Sequence, residues 1–185
     1  TDDQILTWLR EEQAKPFAGW DFSYLNGRRH TIGVKPWDLE TVVLKRLSIA
    51  TSVLDVDTGD GRRFAEFLTK SSFSGRAAAT EGFPPNVPLA RATLEPLGVE
   101  VREATGKSLP WADGSFDLIL NRHGLLNAAE SWRVLNPAGW LVTEQVGSRT
   151  NLDIHRMLGA PMPEGPDWNL ATILAEAWRS DRSDQ

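Results

Sequence analysis

Between residues 52 and 146 short apolar runs alternate with helix-spaced segments, and no other feature of the chain limits its fold as much. Ser52-Val53-Leu54-Asp55-Val56 has the length and residue types of a buried strand. It runs through a glycine-containing turn into Arg62 to Lys70, where Phe64, Phe67 and Leu68 fall on one helical face. Arg76 to Thr80, Val99 to Val101 and Phe116 to Leu120 read as three further strands, and Trp140 to Val146 as a fifth. Asn86 is placed to cap a helix reaching Leu97, and Leu126 to Leu135 forms another that Pro137 stops. Strands that return to one sheet through helices must run parallel. The expectation is an α/β domain with a mostly parallel sheet of about five strands flanked by helices.

The flanks read differently. Asp2 to Gln13 spaces Ile5, Leu6, Trp8 and Leu9 as an amphipathic helix, and Phe17 to Tyr24 is an aromatic-rich loop. A second helix opens near Pro36 and runs through Leu47. The 185 residues divide as one domain: a cap segment at 1–35, a core at 36–147 and a helical tail at 148–185. In the tail, Leu152, Ile154, Met157 and Leu158 suggest one short helix, and Asp167 is placed to cap a second.

Composition removes several functions. With 0 cysteines, thiolate metal sites and cysteine nucleophiles are excluded, and no metal site is expected. A net charge of −5 without a long basic run disfavours nucleic acid and favours a small-molecule substrate. No apolar run is long enough for a membrane span, and the acidic start lacks the basic region of a signal peptide. A cytoplasmic protein is expected.

The turn after the first strand is Asp55-Val56-Asp57-Thr58-Gly59-Asp60-Gly61. Glycines between a strand and a helix let a ligand lie against bare backbone, beneath N–H groups at the helix start. Glu81 closes the second strand, 20 residues after Gly61, where an acid suits the two hydroxyls of a ribose. A dinucleotide fingerprint would need a third glycine at position 64, and Phe64 stands there, which disfavours a nucleotide-dependent oxidoreductase.

Three ordered segments resemble the class I S-adenosylmethionine-dependent methyltransferase family. Val53 to Gly61 is similar to its first motif, D/E-x-G-x-G-x-G. Leu109-Pro110-Trp111-Ala112-Asp113-Gly114-Ser115-Phe116-Asp117 resembles its loop into the fourth strand, and Arg133-Val134-Leu135-Asn136-Pro137-Ala138-Gly139 its turn into the fifth. The resemblance spans residues 36 to 147 and implies S-adenosylmethionine as cofactor. It places Asp55 near the methionine amino group, Gly59 and Gly61 along the cofactor, Glu81 on the ribose and Asn121 near the transferable methyl.

The chain departs from that pattern in three places. Asp57 replaces the first motif glycine, setting a charged side chain where bare backbone usually meets the cofactor. Thr105 stands near the position of the family's adenine-contacting acid. The family's last two strands have no counterpart in residues 151–185, so the fifth-strand edge is expected to be covered by the tail helices or by a second copy in a homodimer.

In methyl transfer the cofactor supplies the reactive group, and the protein supplies alignment and a base. His123, just past the fourth strand, is the candidate base; His30 and His155 have no comparable placement. The implied activity is methyl transfer to O or N of a small molecule. The alternative is a non-catalytic binding or interaction protein of the same fold, with cofactor affinity weakened by Asp57.

Overall fold

The computed structural model describes residues 2–15, 22–28, 30, 32–33, 37–147, 150 and 152–159. Helix α1 spans Asp2–Gln13, α2 Leu39–Leu47, α3 Arg62–Ser71, α4 Val87–Leu94, α5 Ala128–Val134 and α6 Leu152–Leu158. The strands are β1 Ser52–Val56, β2 Arg76–Glu81, β3 Glu100–Glu103, β4 Phe116–Arg122 and β5 Leu135–Glu144. Among the described residues they form one sheet of five strands in the order β3-β2-β1-β4-β5, with every pairing parallel. The second tail helix expected from Asp167 lies outside the described residues.

Helices on both faces bury the central strands twice over, which is why β1 and β4 are apolar without strict alternation. Val53 points into a layer with Val43, Phe64, Phe67, Leu94 and Leu118. Its neighbour Leu54 points oppositely, to Phe116, Ile119, Trp111 and Val134. The alanines of β2 are a weak β signal by propensity, yet Ala77, Ala78 and Ala79 are buried there. Burial between two layers decides the strand. Phe64 is core, filling the space beside β1 where a dinucleotide site would need glycine.

Several boundaries differ from the sequence reading. Helix α2 begins at Leu39, because Asp38 caps it by accepting hydrogen bonds from the Glu40 N–H at 3.1 Å and the Thr41 hydroxyl at 2.6 Å. Asn86 does not cap α4 with its side chain; it is helical in φ/ψ and buried. Helix α4 ends at Leu94, and the Glu95-Pro96-Leu97 segment tightens into a 3₁₀ turn, since Pro96 has no N–H with which to continue the α-helical ladder. Helix α5 starts only at Ala128, after Asn127 accepts the Glu130 N–H at 3.2 Å. Strand β5 begins at Leu135, and a register shift between Phe116 and Leu118 accommodates the Pro137 turn inside it.

The lower end of the sheet is tied by Asp117. One carboxylate oxygen accepts the Thr51 N–H at 2.9 Å, the Thr51 hydroxyl at 2.6 Å and the Ser52 N–H at 3.1 Å. The other accepts the Asn136 amide at 2.7 Å. These bonds hold its carboxyl below the usual range, the Thr51 hydroxyl contributing most.

Candidate cofactor and acceptor site

The upper, C-terminal ends of the strands carry the chemistry. The strand order switches at β1, with β2 and β3 added on one side and β4 and β5 on the other, and open α/β sheets bind ligands at such a switch point. A cavity of about 1020 Å³ opens there, lined by Asp55, Asp57, Gly59, Glu81, Thr105 and His123 among others. It lies at the top of the roughly 300–1,000 Å³ range of small-molecule sites, which suits a cofactor together with an acceptor.

Glu81 organises the cavity floor. It is buried, and its two oxygens accept the Gly59 N–H at 2.6 Å and the Phe83 N–H at 2.7 Å. Each oxygen keeps a lone pair for a ligand hydroxyl. Gly59 takes φ +70°, the left-handed region that glycine enters without strain, and brings bare backbone to the cavity. Phe83 stands beside them, half-exposed, and gives a flat aromatic surface two residues beyond the acid.

Asp55 closes the first strand and is buried against the Thr58 hydroxyl at 2.6 Å. Burial pushes its carboxyl up to about 7; the Thr58 bond and the Arg122 charge oppose the rise, and Asp57 and Glu81 add to it. Asp57 is also raised, mainly by burial, although the N–H groups of Leu125 and Gly106 favour its charged form. Asp55, Asp57 and Glu81 therefore share one cavity wall, and a cationic ligand would relieve their repulsion.

Asp57 is not simply an obstruction. It adopts φ +57°, unusual for a side-chain-bearing residue, and its Oδ2 accepts the Leu125 N–H at 2.9 Å. Gly124 accommodates this arrangement, because a Cβ there would stand 2.5 Å from the Asp57 Cβ.

Two expected cofactor residues sit elsewhere. Asn121 lies within β4 rather than after it, fully buried. It donates to the Val56 carbonyl at 3.3 Å and accepts from the Gln145 amide, tying β1, β4 and the end of β5 together outside the cavity wall. Gly61 caps α3 at φ +79°, and its missing Cβ makes room for Leu94, whose Cγ would otherwise be 2.6 Å away. It is a packing glycine between α3 and α4. Thr105 does line the cavity.

His123 follows β4 directly, at φ +58°. Its backbone N–H donates to the Glu144 carbonyl at 2.9 Å, and its Nε2 stands 3.7 Å from the Glu144 carboxylate. Sequence reasoning missed Arg122, Phe83 and Glu144. Each stands at or just past the end of a strand, a signal available once the strand ends are fixed. Among the described residues no cluster of His, Asp and Glu is arranged to hold a metal, and no helix is long and apolar enough to cross a membrane.

A methyltransferase-domain family model matches residues 54–143. A demethylmenaquinone methyltransferase of Thermus thermophilus is 33% identical over 115 residues, covering 57% of this chain and 52% of that protein. One from Deinococcus radiodurans is 35% identical over 99 residues, covering 49% and 41%. The chain spans about half the length of the curated relatives it matches. The crystal structure of a SAM-dependent methyltransferase from Aquifex aeolicus has a TM-score of 0.55 at 22% identity, covering 85% of this chain and 88% of that one. A protein from Pyrococcus horikoshii has a TM-score of 0.62 at 16% identity, covering 76% and 77%. These two likenesses establish the fold. Residues 54–143 match the methyltransferase-domain family model, and over that core the chain is similar to class I S-adenosylmethionine-dependent methyltransferases.

Proposed function

We propose that the chain binds S-adenosylmethionine along Gly59, with the ribose on Glu81, and transfers its methyl group to an oxygen or nitrogen of a small molecule. The observation that carries this reading is the Glu81 carboxylate, which bridges the Gly59 and Phe83 N–H groups and keeps a lone pair on each oxygen. The donor set fits the cofactor. A carboxylate suits a diol, an exposed aromatic face suits a base, and an acidic wall suits an ammonium and a sulfonium.

When bound, S-adenosylmethionine supplies an electrophilic methyl on a positively charged sulfur. The chain's own contribution is placement, desolvation and proton handling. Asp55, whose carboxyl burial pushes up to about 7, is set to ionise more fully as a cationic ligand arrives. Phe22, Leu125 and Val146 line the same cavity and offer apolar surface to an acceptor ring. His123 lies at the rim, where an acceptor hydroxyl could give up its proton. The curated relatives are named as demethylmenaquinone methyltransferases, and a small-molecule acceptor is in keeping with those names.

One observation favours a second reading. Asp57 occupies a position where a glycine would leave room, and a binding protein without methyl transfer would tolerate it. Calorimetric titration with S-adenosylmethionine and S-adenosylhomocysteine decides. Micromolar binding supports the enzyme, and no heat up to millimolar ligand supports the non-catalytic reading.

A further inference from the structure

A second, smaller cleft of about 320 Å³ adjoins the main cavity, and His123 lines both. Its wall includes Trp37, Arg122 and Glu144. The Trp37 indole N–H donates to one Glu144 oxygen at 3.2 Å, and the other Glu144 oxygen faces His123 Nε2 at 3.7 Å. The Glu144 carboxylate is thus held from one side and presented to the imidazole on the other. The backbone reinforces the placement: Arg122 and Glu144 are register partners of β4 and β5, and the His123 N–H bonds the Glu144 carbonyl. His123 also adopts φ +58°, a conformation that costs free energy in a residue with a Cβ and persists where the surroundings impose it.

We propose that Glu144, anchored by the Trp37 indole, is a positioning residue that fixes the His123 imidazole as the proton acceptor for the methyl acceptor's hydroxyl. The proposal rests on the methyl-transfer reading above and adds a second carboxylate function to the site, separate from the cofactor acids. A carboxylate facing Nε2 selects the tautomer with its proton on Nε2 and leaves the lone pair on Nδ1. In the step, the hydroxyl proton passes to Nδ1 and the acceptor oxygen's electron pair forms the bond to the methyl carbon. The carbon–sulfur bond breaks with its pair remaining on sulfur, and the sulfonium charge is discharged. Glu144 stabilises the imidazolium until the proton leaves to solvent. The cleft lined by Asp38, Glu40 and Arg122 on that side of His123 is a suitable exit.

The charged groups that share the cleft with the pair are Arg122 of β4, Arg63 of α3, and Asp38 and Glu40 at the start of α2. Arg63 is engaged by Glu40 at 2.9 Å, which reduces its effect on the imidazole. Asp57 lies behind Gly124 on the other side.

The test is NMR of the imidazole nitrogens in the 185-residue chain, where His123 is assigned among 3 histidines by loss of its signals in His123→Gln. In Glu144→Gln the His123 pKa should fall by about 0.5–1 unit, because an opposite charge near a half-exposed imidazole is removed. The wild-type nitrogen shifts should report the Nε2–H tautomer and the variant a mixture. Trp37→Phe, which removes the indole donor and keeps a smaller aromatic ring, should move both readouts in the same direction by less. Affinity for S-adenosylmethionine should stay within twofold in both variants. An unchanged His123 pKa and tautomer in a folded Glu144→Gln overturns the pairing. If that variant does not fold, unchanged readouts in Trp37→Phe overturn it instead. Should the wild type show the His123 signature but bind no S-adenosylmethionine, the methyl-transfer reading fails and takes the pair's catalytic use with it, while the pairing itself has been observed.

Discussion

The Asp57 carboxylate accepts the Leu125 backbone N–H at 2.9 Å, so one side chain joins the turn after β1 to the loop after β4. The same side chain holds a left-handed backbone at φ +57° and stands in the cavity wall. It is therefore both a brace between loops and a negative charge in a site already containing Asp55 and Glu81.

Asp57→Gly separates these roles. Glycine accepts the positive φ without strain and removes bulk from the wall, while Asp55 and Glu81 keep it acidic. S-adenosylmethionine should bind about one decade more tightly by calorimetry, equivalent to about 1.4 kcal/mol. The Leu125 amide should exchange with solvent faster, since its acceptor is gone. Unchanged affinity with faster exchange would show that Asp57 is only a brace.

Glu81→Ala should lose more than ligand contacts. It leaves the Gly59 and Phe83 N–H groups without their acceptor, at a cost of about 1–3 kcal/mol in unfolding free energy. Cofactor affinity should fall by a similar amount. Glu81→Gln keeps one acceptor oxygen, so denaturant melts should show a smaller loss. Equal cofactor affinity in wild type and Glu81→Ala would place the ribose elsewhere.

The alternation of strands and helices was legible because burial on both faces demands apolar runs, as in Val53 to Val56 and Leu118 to Leu120. The placement of Glu81 and Gly59 at one cavity was legible for a related reason: each ends or follows a strand, and strand ends converge. Asn121 was misplaced because β4 extends two residues beyond its apolar run, carrying that side chain inside the sheet. Glu144 could not be found without the β4–β5 register that sets it beside His123. Gly61 was read as a ligand glycine because the sequence does not show Leu94 crossing above it.

Asp55 should make stability depend on pH. Its folded pKa of about 7 lies above the ordinary carboxylate value, so folding favours the protonated form. That contribution is complete below about pH 4 and is lost as pH rises through about 7. Asp55→Asn keeps an acceptor for Thr58 and should flatten the melting-temperature profile across this range. In the wild type, a cationic ligand should draw the proton off. Calorimetry near pH 6 in buffers of different ionisation heat should show proton release that Asp55→Asn abolishes.

Gly61→Ala should destabilise the fold by about 2–4 kcal/mol, through strain at φ +79° and collision with Leu94. Thermal melts of Gly61→Ala with and without Leu94→Ala provide the check. The double variant should recover the collision component but not the backbone strain, giving less than the sum of the two single losses.

Strand registration and ligand chemistry are governed from opposite ends of this sheet. Asp117, bonded to Thr51, Ser52 and Asn136, sets how β1, β4 and β5 line up at the end remote from the cavity. Loops at the cavity end can consequently be exchanged with less disturbance to the strands beneath them, so long as the bonds of Asn121 to Val56 and Gln145 are kept. A scaffold arranged this way lends itself to diversification by descent and to loop grafting in the laboratory, provided that the aspartate at its foot is left alone.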